Sequence, residues 1–242
     1  MKDRNNNNLL LEEFFNYSLE ENELAFMYFG WAGILLKTIR KAIAIDIGKE
    51  SLSKKQLKKI NHLDLILHSH SHWDHFEPET TLELFQNTQA PIVIEPQIID
   101  EFQNQTKQKF SYIGKKLIHA DPNNLITEGG VTIETIVGVH PRPISIFRIL
   151  WDNFSVFHGA DSGYVSLHNF SSNIAFIPTG SPSPSCSPEN GLKMVLDLKP
   201  KIAIAMHGNN TQMGKFKKLV NKKFPDTIVI IPKLNKIEHF QI

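Results

Sequence analysis

Residues 63–76, LDLILHSHSHWDHF, constrain the fold more than any other part of the chain. The segment opens with a short apolar run, residues 63–67, which is typical of a strand buried in a sheet. The residues of metal-ligand type that follow are His70, His72, Asp74 and His75. Two histidines spaced two residues apart in extended chain point the same way, so both imidazoles can reach one ion. Nitrogen and carboxylate ligands without a thiolate suit Zn²⁺, and also Mn²⁺ or iron.

Three more residues of ligand type each follow a predicted strand. His140 ends the run VTIETIVGVH, Asp161 follows FSVFHGA, and His207 ends KIAIAMH. Glycines flank Asp161 and follow His207, where the backbone must approach an ion closely. Since sites of α/β proteins form at the ends of strands, this repeated placement predicts one site built from several strand ends.

The remaining sequence predicts a layered α/β or α+β protein in which helices cover sheets. Residues 1–23 form a predicted appendage, with four consecutive asparagines and one short amphipathic helix after them. Residues 24–242 show no linker, so we expect a single domain there. The predicted helices cover residues 51–60, 188–198 and 213–224 and a segment that begins at Pro78, and residues 151–153 form a predicted hairpin turn.

Composition excludes several classes of protein. The 242 residues are 41% hydrophobic and 21% charged, which is ordinary for a globular protein, and the net charge of +1 argues against a duplex-binding protein. The single cysteine, Cys186, excludes an internal disulfide and a multi-cysteine zinc site, and we expect it to be a bystander. No apolar run reaches the roughly 20 residues that span a bilayer, and acidic residues interrupt the apolar N-terminal stretch, so we expect a cytoplasmic protein.

These motifs together resemble the metallo-β-lactamase fold superfamily of metal-dependent hydrolases, and within it the L-ascorbate-6-phosphate lactonase-like branch. SHSHWDHF matches the HxHxDH signature, and MYFGWAGILLKT followed by AIAIDI is similar to opening strands that end in an aspartate, here Asp46. VGVH, HGADSGY and PKIAIAMHG match the later ligand positions in order, so the resemblance covers about residues 24–231. It implies an αββα four-layer sandwich, with two mixed sheets packed face to face and helices outside.

The resemblance also implies a binuclear metal site, with zinc as the expected metal. His70, His72 and His140 would hold one ion, Asp74, His75 and His207 the other, and Asp161 would bridge them. A hydroxide between the two ions would attack the substrate, and Asp74 would orient it or carry a proton. The chain is therefore predicted to be a hydrolase that acts on an ester or lactone-type carbonyl of a small molecule.

Substrate contacts are expected in loops around the metals. The family often has Gly-His where this chain has Gly30-Trp31, which makes Trp31 a candidate pocket wall. Arg142, two residues after His140, is a candidate partner for a carboxylate or phosphate, and Ser181 begins the loop of residues 181–186. His68 is expected to support the motif without binding metal.

Other functions stay open at this point. The same metal site could cleave phosphodiesters, since a lysine-rich helix follows His207, although such a charge run is usually a solvated face. A non-catalytic metal-binding protein and mono-iron thioester or persulfide chemistry are further alternatives. We expect a small-molecule substrate and neither a membrane nor a nucleic acid as partner, and a homo-oligomer stays open.

Overall fold

The computed structural model describes residues 3–105 and 113–242, which divide into two compact units. The first unit comprises Met1–His119 and Lys233–Gln241, and the second comprises Ala120–Pro232 with Ile242. Residues 1 and 2 of the predicted appendage lie outside the described residues. The division at residue 24 stays a prediction.

The described elements are, in chain order, α1 Asp3–Asn16, β1 Glu23–Gly30, β2 Gly33–Lys37, β3 Ala42–Ile45, α2 Lys54–Leu57, β4 Leu65–His68, α3 Pro78–Thr88, β5 Ile92–Ile94, α4 Pro96–Gln105, β6 Leu117–His119, β7 Leu125–Glu128, β8 Val131–Val137, β9 Ser145–Trp151, β10 Phe154–His158, β11 Ile174–Pro178, α5 Pro188–Leu198, β12 Ile202–Met206, α6 Asn210–Lys223, β13 Ile228–Ile230 and β14 Ile237–Gln241.

The first unit contains a mixed sheet of seven described strands, in the order β14-β1-β2-β3-β4-β5-β6. The pairs from β14 to β3 are antiparallel, whereas β3, β4, β5 and β6 run parallel. All four residues of β4 are buried, as its apolar sequence predicts for a strand in the middle of a sheet. Neighbouring parallel strands end at the same edge, and residues 69–75 follow β4 there.

Helix α1 belongs to the core of the first unit. Leu11 and Phe14 are fully buried in the cluster that also contains Met27 and Leu35 from the sheet. The ammonium group of Lys37 donates to the carbonyl oxygens of residues 14, 15 and 17, at 3.2, 2.6 and 2.7 Å. The last carbonyls of a helix have no partner inside it, so this cation caps the C-terminus of α1 and fixes it to the end of β2.

The second unit contains another mixed sheet of seven described strands, in the order β13-β12-β11-β10-β9-β8-β7. Strands β7 to β10 pair antiparallel, and β10 to β13 run parallel. Helices α5 and α6 bury Met194, Leu198 and Phe216 in one cluster with Ala203 and Ala205 of β12. The sheet therefore has the same sequence of antiparallel and parallel pairs as the first one.

Most predicted elements are present, and the differences have local causes. Helix α5 covers residues 188–198 as predicted, and residues 152 and 153 join the antiparallel strands β9 and β10. The helix predicted over residues 51–60 is wrong in length: it is the single turn α2, capped by Ser53. Helix α6 begins three residues early because the Asn209 side chain accepts a hydrogen bond from the Gln212 amide. No helix within residues 3–105 and 113–242 has the length and apolarity needed to cross a membrane.

Candidate metal centre

The HxHxDH motif and Asp46 lie at the same edge of the first sheet. Ile45 and Leu67 are partners in the parallel pair of β3 and β4, and the Asp46 amide donates to the Leu67 carbonyl oxygen at 2.9 Å. Residues just beyond the two strands are therefore neighbours. The predicted placement of the motif directly after a buried strand is confirmed.

The imidazoles of the motif lie close together. The ring centroids of His70 and His72 are 4.6 Å apart, and those of His70 and His75 are 4.2 Å apart. The chain turns after His72, whose carbonyl oxygen accepts from the amides of His75 and Phe76 at 2.9 and 2.8 Å. This turn brings Oδ2 of Asp74 to 3.6 Å from Nε2 of His75. Nitrogen and carboxylate donors thus gather at one place, which is a donor set suited to a divalent cation.

Asp46 anchors this group from a fully buried position. Its Oδ1 accepts the Ser69 amide at 2.8 Å, and its Oδ2 accepts the Ser69 hydroxyl at 2.7 Å. The same Oδ2 lies 2.8 Å from Nδ1 of His75. A carboxylate on Nδ1 holds the proton there and leaves Nε2 unprotonated, the arrangement usual for histidines that bind metal.

Gly48 permits a close approach of the backbone to the motif. A Cβ atom at this position would lie 2.3 Å from the carbonyl carbon of Asp74. Any larger residue would therefore displace the Asp74 backbone. The next residue also fixes the motif, since the Lys49 amide donates to the Trp73 carbonyl oxygen at 2.7 Å.

His68 supports the motif from the buried side. Its Nδ1 lies 3.0 Å from the His75 carbonyl oxygen, and its Nε2 lies 3.0 Å from the Thr81 hydroxyl on α3. Burial lowers the pKa of His68, which favours the neutral ring. Both ring nitrogens are thus engaged in contacts that fix the turn, as expected for a supporting residue.

The second unit contains a second donor group, which consists of His140, Asp161 and His207. Oδ2 of Asp161 lies 3.2 Å from Nε2 of His140 and 3.9 Å from Nε2 of His207. Nδ1 of His140 lies 3.3 Å from the Arg142 carbonyl oxygen and 3.2 Å from the Arg142 amide nitrogen, so Nε2 is the nitrogen that faces the carboxylate. Asp161 follows β10 and His207 follows β12, on parallel strands separated only by β11.

Hydrogen bonds hold the Asp161 loop in place. The Ser162 hydroxyl accepts the Val139 amide at 2.8 Å beside His140. The Asp161 carbonyl oxygen accepts from the Ser183 hydroxyl at 2.8 Å and the Cys186 thiol at 2.7 Å. Burial raises the pKa of the Cys186 thiol, which disfavours the reactive thiolate.

His207 is held in a backbone conformation that non-glycine residues rarely adopt. Its φ is +45°, in the left-handed region. At the following Gly208, a Cβ would lie 2.2 Å from the Thr179 hydroxyl oxygen. Such backbone strain is common at functional sites, where the surrounding structure fixes it.

Each donor group has the imidazole nitrogens and carboxylate oxygens that bind divalent metal ions, and in the first group the Asp46 carboxylate anchors Nδ1 of His75. The first unit supplies His70, His72, Asp74 and His75, and the second supplies His140, Asp161 and His207. The predicted division of these seven ligands between two ions stays a prediction.

The predicted substrate contacts occupy exposed positions. Trp31 lies in the turn between β1 and β2, 6.2 Å from Trp73 between ring centroids. Arg142 and Ser181 are exposed in the second unit, and the Ser181 amide donates to Oε1 of Gln212 at 3.0 Å. Contact of these residues with a substrate stays a prediction. Trp73 was overlooked by sequence reasoning, although its position between two candidate ligands was a signal.

Comparison with known proteins identifies the family. The profile of the β-lactamase superfamily domain matches residues 25–207. The chain belongs to this superfamily. The predicted resemblance and the predicted fold class, with two mixed sheets and helices, are thereby confirmed.

The superfamily members described below are distant from this chain in sequence. A UPF0173 metal-dependent hydrolase of Polynucleobacter asymbioticus is 26% identical over 216 residues, which cover 78% of this chain and 75% of that protein. The structure of Igni18, a metallo hydrolase from Ignicoccus hospitalis, superposes with a TM-score of 0.73 at 19% identity, covering 91% of this chain and 99% of Igni18. The metallo-β-lactamase fold protein YhfI from Bacillus subtilis gives a TM-score of 0.70 at 18% identity, covering 90% and 100%.

Proposed function

We propose that this superfamily member is a metal-dependent hydrolase that cleaves an ester or lactone bond of a small molecule. The observation that carries the proposal is the anchored donor set of the HxHxDH motif, in which the Asp46 carboxylate lies 2.8 Å from Nδ1 of His75. Such anchoring is typical of histidines that bind metal. The relative named as a metal-dependent hydrolase supports the same reaction class.

We assign the seven donor residues as the ligands of two divalent ions. They are His70, His72, Asp74, His75, His140, Asp161 and His207. The absence of a thiolate and the mixture of imidazole and carboxylate favour Zn²⁺, with Mn²⁺ or iron as alternatives. Ions bound there would lower the pKa of water and polarise the carbonyl oxygen of a substrate.

Asp74 is the group that we assign to proton transfer. Its carboxylate is buried, and its backbone is fixed by the contact with Gly48. A carboxylate oxygen in this position can orient the attacking water and accept its proton. Asp46 acts through His75 and Ser69, so it is a positioning residue.

A carbonyl substrate is favoured over a nucleic acid. The lysines of α6 are all exposed: Lys215, Lys217, Lys218, Lys222 and Lys223. Lys215 lies 2.5 Å from Glu189, whose pKa is lowered by that hydrogen bond. These features fit a solvated helix face better than a surface that follows a phosphate backbone. We therefore propose a small-molecule substrate.

The experiment compares kcat/KM for a panel of lactones and a panel of phosphodiesters, with protein loaded with Zn²⁺ or Mn²⁺. His72→Ala removes one proposed ligand, and His119→Ala, an exposed histidine on β6, is the matched control. We expect lactone turnover in the wild type and the control, and its loss in His72→Ala. Preferential phosphodiester turnover, or lactone turnover that survives in His72→Ala, would refute the proposal.

A further inference from the structure

Two exposed tryptophans lie beside the candidate ligands of the first unit. Trp31 is 39% exposed and Trp73 is 54% exposed. Their ring centroids are 6.2 Å apart with an interplanar angle of 82°, an edge-to-face pair. Trp73 lies between His72 and Asp74 in the motif itself. Two large apolar side chains exposed side by side are unusual on a protein surface and often mark a binding site.

The backbones that carry this pair are fixed. Trp31 has a φ of +49°, and its carbonyl oxygen accepts the Tyr28 hydroxyl at 3.0 Å. The Trp73 carbonyl oxygen accepts the Lys49 amide at 2.7 Å. Fixed anchors lose little conformational entropy when they bind a ligand, which makes the pair suitable for recognition.

We infer that Trp31 and Trp73, the tryptophan wall, select substrates that carry an aromatic ring next to the ester or lactone bond. This inference rests on the proposed hydrolase function and names its substrate class. Indole rings pack favourably against flat rings in stacked or edge-to-face geometry.

The first experiment measures hydrolysis by the metal-loaded protein. The substrates are γ-phenyl-γ-butyrolactone and γ-methyl-γ-butyrolactone. The expected kcat/KM order places the phenyl lactone first, and its advantage over the methyl lactone falls about two- to tenfold in Trp31→Ala and Trp73→Ala. Trp73→Phe keeps most of the advantage. Ile39→Ala, which removes an exposed apolar side chain elsewhere in the first unit, leaves it unchanged.

The second experiment measures binding without catalysis. Metal-free protein is titrated with phenylpropanamide, a neutral aryl amide without an ester, and its Kd is determined by ligand-observed NMR. We expect the Kd to rise at least about twofold in each tryptophan-to-alanine variant and to stay constant in Ile39→Ala. Circular dichroism confirms that the variants are folded.

The two readouts separate this inference from the proposed function. Weaker aryl binding in the variants, with no lactone hydrolysis by any protein, would support the tryptophan wall and refute the hydrolase proposal. Hydrolysis with unchanged aryl selectivity and unchanged Kd in both variants would refute the tryptophan wall and leave the hydrolase.

Discussion

Replacing Asp46 with asparagine changes the proton on His75 while keeping the size of the side chain. The Ser69 amide at 2.8 Å from Oδ1 is a fixed donor, so the asparagine oxygen must face it. The asparagine NH₂ group then occupies the position of Oδ2, which lies 2.8 Å from Nδ1 of His75. An amide donor there favours the tautomer with the proton on Nε2, the nitrogen assigned to the metal.

The expected magnitude follows from this tautomer change. Loss of the group that orients a ligating histidine typically costs 10–100-fold in metal affinity, which corresponds to about 1.4–2.8 kcal/mol. The substitution also weakens the hydrogen bond between the Ser69 hydroxyl and Oδ2, at 2.7 Å. Asp46→Asn should therefore bind Zn²⁺ about 10–100-fold more weakly than the wild type.

The assay is a competition titration of Zn²⁺ against a chromophoric chelator. Asp64→Asn is the matched control, because this carboxylate also accepts a backbone amide, that of Ala42 at 2.8 Å, and lies at the opposite end of β3. Its zinc affinity should equal that of the wild type. If Asp46→Asn and Asp64→Asn bind zinc equally well, the anchoring role of Asp46 is refuted.

Two further substitutions test the packing described above. Phe14→Ala empties a fully buried position and should lower the free energy of unfolding, measured by urea denaturation, by about 3–5 kcal/mol. The control Phe15→Ala, at a partly buried position, should lower it clearly less. Equal losses in the two variants would contradict the burial of α1. Gly48→Ala places a Cβ 2.3 Å from the Asp74 carbonyl carbon and should lower the free energy of unfolding by about 1–3 kcal/mol. The control Gly214→Ala, whose Cβ would have no atom within 4 Å, should stabilise α6. An unchanged free energy of unfolding in Gly48→Ala would show that the close approach is dispensable.

The sequence predicted the motif and its support by β4 because both depend on residues close together in the chain. Periodicity and apolar runs also predicted α5 and the turn at residues 152–153. The role of Asp46 could not be derived in this way. Its contact with His75 depends on which strands pair and in which register, and β3 and β4 are joined by a long connection whose pairing no local pattern reveals.

The N-terminal segment shows a different reason for incomplete prediction. A short helix was expected after the asparagines, yet α1 begins at Asp3 and includes them. Asparagine has only modest helix propensity, so tertiary contacts decide. Leu11 and Phe14 bury one side of the helix, and Lys37 caps its end from a strand that follows later in the chain. The sequence pattern of residues 1–23 cannot indicate this contact, because Lys37 lies outside it.

The pairing of β14 with β1 has a consequence for synthesis on the ribosome. The antiparallel register joins Glu23 to Gln241 and Met27 to Ile237, so one edge of the first sheet is completed by a segment translated after residues 120–232 of the second unit. Until residues 237–241 emerge, β1 presents an open edge, and such edges pair readily with other chains. The nascent first unit is therefore exposed to edge-to-edge association for as long as the ribosome takes to translate the second, and slower translation lengthens that interval.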